Sequence, residues 1–438
     1  MTEIKINFNK KVRLMKPMHG VGQPPFVGID MSHMHWLTEA GIEYSRLHDV
    51  GGKFGRNQFV DIPNIFRDSD ADENDPASYD FVMTDILINA MIEHKLKPIF
   101  RLGVTIENEF RTQCLRIFPP KDFGKWARIC EHIIRHYNEG WANGYHYGIE
   151  YWEIWNEPDN ELSIFKDGNI SNPMWHGTKE QYFELYEITA KHLKACFGDS
   201  IKVGGYAATG LFYSLLDLPK ENAQRYNYFN QFFEEFFSHL KKTGTPIDFF
   251  TWHSYVSTAE TELMADNIER CLCEYGYEGL ETHLNEWNNA GEQHWLGTDI
   301  SASKLAAMMC AMQNKKTYML NVYDARIGMG LYSPLFNCLT YKPHLAYKSF
   351  IAFNTLYKLG DQVSCEYERN GLYAIAASNG NKRAVLIANE TENEYDLSIP
   401  ACEGMEVYML NDVHNLGPVF VDPTNFKLSK YSVALIKS

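Results

Sequence analysis

Short runs rich in β-branched and aromatic residues alternate with longer amphipathic stretches from residue 13 to about residue 358. That alternation predicts parallel strands joined by helical crossovers. Eight runs qualify as strands: Leu14–Gly20, Glu43–His48, Lys97–Leu102, Tyr151–Asn156, Ile201–Tyr206, Ile247–His253, Glu281–Asn285 and Tyr318–Tyr323. Between them, Tyr79–His94 sets Phe81, Ile86, Leu87, Ala90 and Met91 near one helical stripe, and Lys121–Tyr137 does so with Trp126, Ile129, Cys130 and Ile133. Thr178–Phe197, Tyr226–Lys242, Glu260–Tyr275, Ser301–Gln313 and His344–Lys358 continue the series, and the first helix, around Ser32–Ala40, is short. Eight strand–helix units without an internal repeat predict an α/β chain closed into a (β/α)8 TIM barrel over 13–358.

After Leu359-Gly360-Asp361 the period changes. Gly371–Ala377, Lys382–Ile387, Met405–Leu410 and Ser432–Ile436 are short β-rich runs separated by Asn379-Gly380-Asn381 and Asn415-Leu416-Gly417-Pro418. Residues 359–438 are therefore expected to form a small antiparallel β-sandwich. Within 1–12, the run Ile4–Phe8 is expected to lend it a strand.

Composition narrows the partners. With 45% hydrophobic residues in 438, the chain can bury a large core, and 22% charged residues argue against disorder. A net charge of −15 repels phosphates and anionic membrane surfaces, which excludes nucleic acid and lipid as expected partners. A neutral polyhydroxylated ligand is indifferent to that charge. Aromatic residues, at 14%, suit both a large core and the flat C–H faces of sugars. The nine cysteines are an odd number, and Cys271-Leu272-Cys273 is too tight for a disulfide and lacks a matching pair for zinc. They read as reduced thiols. Met1–Lys11 has no apolar stretch of the secretory kind, and no apolar run approaches the ~20 residues of a membrane helix. A cytoplasmic setting is expected; a leader removed beforehand would instead imply the periplasm or the exterior.

In a TIM barrel the reactive groups stand where the strands end. The fourth run closes with Tyr151-Trp152-Glu153-Ile154-Trp155-Asn156-Glu157-Pro158, and strict alternation puts Glu153, Trp155 and Glu157 on one face. Pro158 stops the ladder, leaving Glu157 at the rim. Beside an indole, its carboxyl is expected to be raised, as a general acid requires. The bland alternative is a rim glutamate paired with a loop lysine. The seventh run closes with Glu281-Thr282-His283-Leu284-Asn285-Glu286, where alternation groups Thr282, Leu284 and Glu286. Strands four and seven face each other across a barrel. Paired carboxyls ~5–5.5 Å apart suit a retaining glycosidase, and ~6.5–9.5 Å an inverting one. Arg46 and His48 share a face on the second run, as do Thr251, His253 and Tyr255 on the sixth.

Trp155-Asn156-Glu157-Pro158 resembles the acid/base motif of glycosidase clan A, and Asn285-Glu286-Trp287-Asn288 resembles its nucleophile strand, with the closest likeness to glycoside hydrolase family 39. The resemblance runs across the barrel and into the β-rich tail. It implies an exo-acting, β-xylosidase-like enzyme with Glu157 as catalytic acid/base and Glu286 as nucleophile. It also implies that Arg46 keeps Glu286 ionised, that His48, His253, Tyr255, Trp287 and Tyr323 line the sugar site, and that Asn156 bonds the sugar 2-hydroxyl. By alternation Asn156 faces the wrong way, so that role needs a twist at the strand tip. Glu153, one layer deeper, is expected to pair with Arg46 or Arg101. Tyr332 and Phe336 are further candidates for an aromatic platform.

No metal or organic cofactor is implied. A glycoside or oligosaccharide is the expected partner, and the oligomeric state is open. Asn285 stands where many family members carry Thr, and Asn321–Arg326 lacks a Trp common in the clan, which leaves the sugar open. α-L-Arabinofuranosidase, iduronidase and β-glucosidase or β-galactosidase activities are the alternatives, with Lys53, Arg56 and Arg326 as cations that a uronate would need. A non-catalytic carbohydrate-binding barrel is a different class, opposed by the presence of both carboxylates. A Schiff-base aldolase is opposed by the lack of lysine at every predicted strand end.

Overall fold

The computed structural model describes residues 1–50, 59–105, 117–160, 174–288, 293–328 and 332–438. Strands run in the order β1 (Thr2–Leu14), β2 (Gly20–Gly22), β3 (Tyr44–Leu47), β4 (Lys97–Leu102), β5 (Tyr151–Ile154), β6 (Lys202–Ala208), β7 (Phe249–Ser254), β8 (Glu281–Trp287) and β9 (Met319–Val322). From β2 to β9 each pairs in parallel with the next, and β9 returns to β2, so the barrel is closed. Helices follow the strands: α1 (His35–Glu39), α2 (Ile62–Ile65), α3 (Val82–Glu93), α4 (Phe123–Asn138), α5 (Lys179–Phe197), α6 (Ala223–Thr243), α7 (Thr258–Tyr275), α8 (Asp299–Gln313) and α9 (Leu345–Tyr357). Two of them start at capping boxes, Thr178 with Gln181 and Ser257 with Glu260, which satisfy backbone N–H groups that a helix start leaves open.

The first barrel strand differs from expectation. Leu14–Gly20 does not form it; β2 is only Gly20–Gly22, and Thr2–Leu14 is a long strand elsewhere. Pro17 lacks an N–H for a ladder, and the Lys16 ammonium is drawn out to three carbonyls, of Met312, Lys315 and Thr317, at 3.1, 2.6 and 2.6 Å. Gly20 lets the short strand approach β9, since a Cβ there would sit 2.5 Å from the Leu320 oxygen.

The barrel is filled in layers. Tyr44, Ile99, Tyr151, Phe249 and Met319 form an apolar floor. Two residues further along their strands stand Arg46, Arg101 and Glu153, all buried. This charged layer underlies the mouth.

The tail contains β10 (Asp361–Tyr367), β11 (Leu372–Ser378), β12 (Arg383–Asn389), β13 (Tyr395–Ser398), β14 (Glu406–Leu410), β15 (Asn415–Val419), β16 (Asn425–Leu428) and β17 (Ser432–Lys437). With β1 they make one nine-stranded sheet in the order β15-β14-β17-β12-β11-β10-β1-β13-β16. The expected sandwich is thus a single sheet curled over its own core, which includes Ile4, Leu372, Ile387, Leu397, Phe426 and Ile436. β1 runs antiparallel to β10 and, through Thr2 and Glu3, parallel to β13. The outer face adds Tyr373, Ile375, Leu386 and Leu435 to the apolar cluster of the barrel helices. Arg369 grips both oxygens of Glu262 on α7 at 2.7 Å. The eight described cysteines are free. Among the described residues no helix is long and apolar enough to cross a membrane.

Candidate active site

The tip of β5 carries the first carboxylate. The strand ends at Ile154, and Trp155 and Glu157 take left-handed backbone angles, φ 70° and 44°. Alternation therefore fails there. The Trp155 indole turns into the core against Trp126 and Trp175 and donates to the Met174 carbonyl at 2.7 Å. Asn156 and Glu157 both turn to the mouth, so the twist that Asn156 needs is present.

β8 delivers the second carboxylate by a different device. His283 and Asn285, not Thr282 and Leu284, face inward: Asn285 donates to Glu153 at 2.5 Å, while Leu284 joins the outer core. Register shifts in the pairings of β8 with β7 and β9 then let Glu286 face inward immediately after Asn285.

Around the two carboxylates the contacts are dense. Arg46 donates to Glu153 at 2.7 Å, to Glu286 Oε2 at 3.0 Å and to Asn156 Oδ1 at 2.5 Å. Tyr255 donates its hydroxyl to Glu286 Oε1 at 2.5 Å. His253 places Nδ1 2.7 Å from Glu157 Oε1 and Nε2 3.7 Å from Glu286 Oε2. Asn160 donates to Glu157 Oε2 at 2.8 Å. Single side-chain atoms of Glu157, His253 and Glu286 lie within 4.8 Å of one another. Each glutamate keeps only 7% of its surface exposed.

Burial is the largest influence on both carboxyls and raises both. At Glu157 it is outweighed by His253, Asn160 and Arg46, and the carboxyl sits below its ordinary range. At Glu286 burial and the nearby Glu157 charge outweigh the opposing pull of His253, Arg46 and Tyr255, and the carboxyl sits above it. Both directions differ from expectation. The indole that was to raise Glu157 points away from it, a histidine takes its place, and Arg46 does not overcome burial at Glu286. His253, lowered by burial, is raised overall by the two carboxylates. His48 lies 3.2 Å from Asp49 and is held neutral, first by burial and then by Arg46, Arg101, His253 and Arg326.

Of the remaining predicted residues, Tyr323 reaches the mouth. Its hydroxyl donates to Asp49 at 2.9 Å, and its ring neighbours Tyr255 and Tyr332. Trp287 is wholly buried in the apolar core, and Phe336 packs against Tyr347, so neither stands beside the carboxylates as a platform. Glu153 pairs with Arg46, whereas Arg101 turns to Asp61 at 2.6 Å. Arg326 is neutralised by Asp324 at 2.5 Å. Lys53, Arg56 and Cys114 lie outside the described residues. Asp49, Asn160 and Arg225 were missed in the sequence: Arg225 donates to Asn160 Oδ1 at 2.6 Å from a helix 65 positions away, a distance that no local pattern spans.

Among the described residues, two groups of side chains have the spacing to hold a metal ion. One is Glu157, His253 and Glu286; the other is Glu131, His192 and Cys196 on α4 and α5. At the mouth Arg46 already supplies positive charge to Glu286. In the second group Glu131 is bonded to Arg135 and His192 at 2.7 and 2.6 Å.

A closed parallel barrel with glutamates at the ends of its fourth and seventh strands has the layout of the clan A glycosidases. The family model for glycosyl hydrolases family 39 matches residues 30–282, and the chain belongs to this family. The matched stretch includes Glu157 and stops short of Glu286. A β-xylosidase of Geobacillus stearothermophilus is 25% identical over 263 residues, 57% of this chain and 42% of that protein. A β-xylosidase of Caldicellulosiruptor saccharolyticus is 25% identical over 275 residues, 58% of this chain and 47% of that protein. The chain thus matches under half the length of these curated relatives. Among solved structures, a glucosidase from Croceicoccus marinus superposes with a TM-score of 0.74 at 18% identity, covering 100% of this chain and 98% of that one. A monomeric β-xylosidase from Caulobacter crescentus CB15 gives 0.67 at 14%, covering 100% and 99%. These two likenesses concern the fold.

Proposed function

We propose that the protein is a retaining, exo-acting glycoside hydrolase of β-xylosidase type, with Glu286 as nucleophile and Glu157 as acid/base. The observation that carries this reading is the approach of the Glu157 and Glu286 side chains, with atoms within 4.8 Å across the mouth. That approach supports direct attack on the sugar, as in a retaining enzyme, over the wider carboxyl separation of ~6.5–9.5 Å that suits an inverting one. Glu286 attacks the anomeric carbon while Glu157 protonates the leaving oxygen. Glu157 then deprotonates a water that releases the sugar with retained configuration. Arg46 and Tyr255 each hold one oxygen of Glu286, which fixes its rotamer for attack. Because Arg46 meets the Asn156 oxygen, the Asn156 amide nitrogen is the group offered to the sugar 2-hydroxyl. Asp49, His48 and Tyr323 line the glycone side. With Arg326 neutralised by Asp324, a neutral sugar fits the described residues better than a uronate.

An aryl glycoside panel tests the class: the highest kcat/KM is expected on the β-D-xylopyranoside, and no hydrolysis of any member would overturn the reading. A 2-deoxy-2-fluoro xyloside with a good leaving group should label Glu286, read by peptide mass spectrometry; a label elsewhere removes its assignment.

One observation favours a second reading with the two roles exchanged. Glu157 sits low and Glu286 high, the reverse of what acid and nucleophile require at the moment of attack. Azide separates the readings. With Glu157→Ala, azide should rescue activity and give a glycosyl azide of retained configuration. An inverted azide from this variant would mean that the nucleophile had been removed instead.

A further inference from the structure

The two oxygens of Glu157 meet partners of different kinds. Oε1 lies 2.7 Å from His253 Nδ1, and Oε2 lies 2.8 Å from the side-chain nitrogen of Asn160. An imidazole nitrogen donates or accepts according to its tautomer, whereas an amide NH2 only donates. The difference therefore depends on which way the Asn160 amide faces. Arg225 fixes that, because its Nη2 lies 2.6 Å from the other end of the amide. A guanidinium has donors and no acceptor, so the amide atom it meets is the oxygen. The NH2 is left facing Glu157, and Oε2 is held as an acceptor.

We propose that Asn160, locked in one orientation by Arg225, is a positioning residue that assigns the transferable proton of Glu157 to Oε1. The inference deepens the proposed function and rests on Glu157 being the acid/base. A proton on Oε2 sets an O–H against the N–H of Asn160. A proton on Oε1 can be shared with His253 Nδ1, which accepts in the tautomer that carries the ring proton on Nε2, towards Glu286. In the first step the Oε1–H bond breaks and its proton passes to the leaving oxygen. That oxygen also takes the electron pair of the broken C–O bond while Glu286 bonds the anomeric carbon. In the second step a water oxygen bonds the anomeric carbon, the ester bond to Glu286 breaks, and the water proton goes to Oε1. Oε2 accepts from Asn160 throughout.

Other groups face Glu157 as well. Among the described residues these are His253 and Tyr255 from the end of β7, Glu286 from β8, Arg46 from β3, Tyr213 beyond β6 and Asp159 on its own loop. Asp159 is occupied by the backbone and hydroxyl of Thr209, at 3.2 and 2.7 Å, and does not compete for Asn160. Arg46 bonds Glu153, Asn156 and Glu286 rather than Glu157. Asn160 is thus the fixed donor on this carboxyl, and its loss is felt by the proton.

The test reads proton affinity with and without turnover. In Asn160→Ala the ionised carboxylate loses one donor, so Glu157 holds its proton more tightly. The alkaline limb of kcat/KM should move up by about one pH unit. Arg225→Met keeps Asn160 but frees its amide to turn, and should move the limb the same way by about half as much. Arg225→Lys retains a donor for the amide oxygen and should restore the parent profile. Carbon-13 titration of the Glu157 carboxyl, assigned with Glu157→Gln, should follow the same order. That signal exists whether or not glycosides are cleaved, so an inactive panel would sink the functional reading while the titration still decides this one. An unmoved Glu157 titration in Asn160→Ala overturns the proposal, as does Arg225→Met behaving like Arg225→Lys. Arg225 is half-buried on α6, so its variants answer even if Asn160→Ala fails to fold.

Discussion

Tyr255 and Glu286 form the shortest direct tie on the proposed nucleophile, 2.5 Å from hydroxyl to Oε1. The hydroxyl pulls the Glu286 carboxyl down against burial. Tyr255→Phe removes that pull, so Glu286 rises further and a smaller fraction is ionised at any given acidic pH. The acid limb of kcat/KM is expected to move to higher pH, and kcat to fall about tenfold to hundredfold, in steady-state kinetics across pH. Asp159 offers a test on stability. Burial, ahead of the opposing Thr209 bonds, pushes its carboxyl up to about 7. The folded state therefore holds a proton that the unfolded state has lost, and stability should drain as pH climbs from about 4 to 7. Asp159→Asn removes the titration, and urea unfolding at both ends of that window should show a flatter profile than the parent, by up to about 4 kcal/mol. At this scale the sequence was legible wherever a residue type carried its own chemistry. Glu157, Glu286, Arg46, His253 and Tyr255, each singled out for the charge or proton its side chain carries, stand together at the mouth. Trp287 and Phe336 misled because an aromatic ring serves core and binding site equally. Asn160 and Arg225 were invisible because their pairing exists only once α6 lies beside the loop after β5.

At the scale of elements, helices were read more accurately than strand tips. Helix ends are written locally: the capping boxes at Thr178 and Ser257 put the starts of α5 and α7 within two residues of expectation. Strand parity is written locally only while the strand stays regular. At Trp155 a left-handed residue reverses it, and in β8 a register shift lets Asn285 and Glu286 both face inward. Both departures occur where a side chain must be turned to the mouth, and alternation cannot foresee them. Lys16 shows a related effect at the barrel's other end. Its ammonium ties the segment before β2 to the Met312 carbonyl in the last turn of α8, a favourable place for a cation, and to the carbonyls of Lys315 and Thr317 just beyond that helix. Lys16→Met is expected to cost about 2 kcal/mol, seen as a lowered denaturant midpoint. Activity should fall little, since Lys16 precedes the start of β2, whereas Glu157 and Glu286 stand where β5 and β8 end.

For the whole molecule, the barrel and the tail were both legible because their hydrophobic periods differ. What the pattern did not carry was how completely the tail depends on the opposite end of the chain. β1 is no appendage to that sheet; it lies inside it, between β10 and β13. A fragment of residues 359–438 is expected to lack cooperative unfolding by circular dichroism, and mixing in a peptide of residues 1–14 should restore it. A fragment that folds unaided would show that β1 is dispensable.

This arrangement imposes an order on biosynthesis. β1 leaves the ribosome before the whole barrel, and its two neighbours follow some three hundred and fifty residues later. In the interval it is an orphan edge, open to pairing with other nascent chains. Lys5, Lys10, Lys11 and Arg13 punctuate it with like charge, as gatekeepers do on such edges. The same strand that seals the finished protein must therefore stay unattractive while it waits.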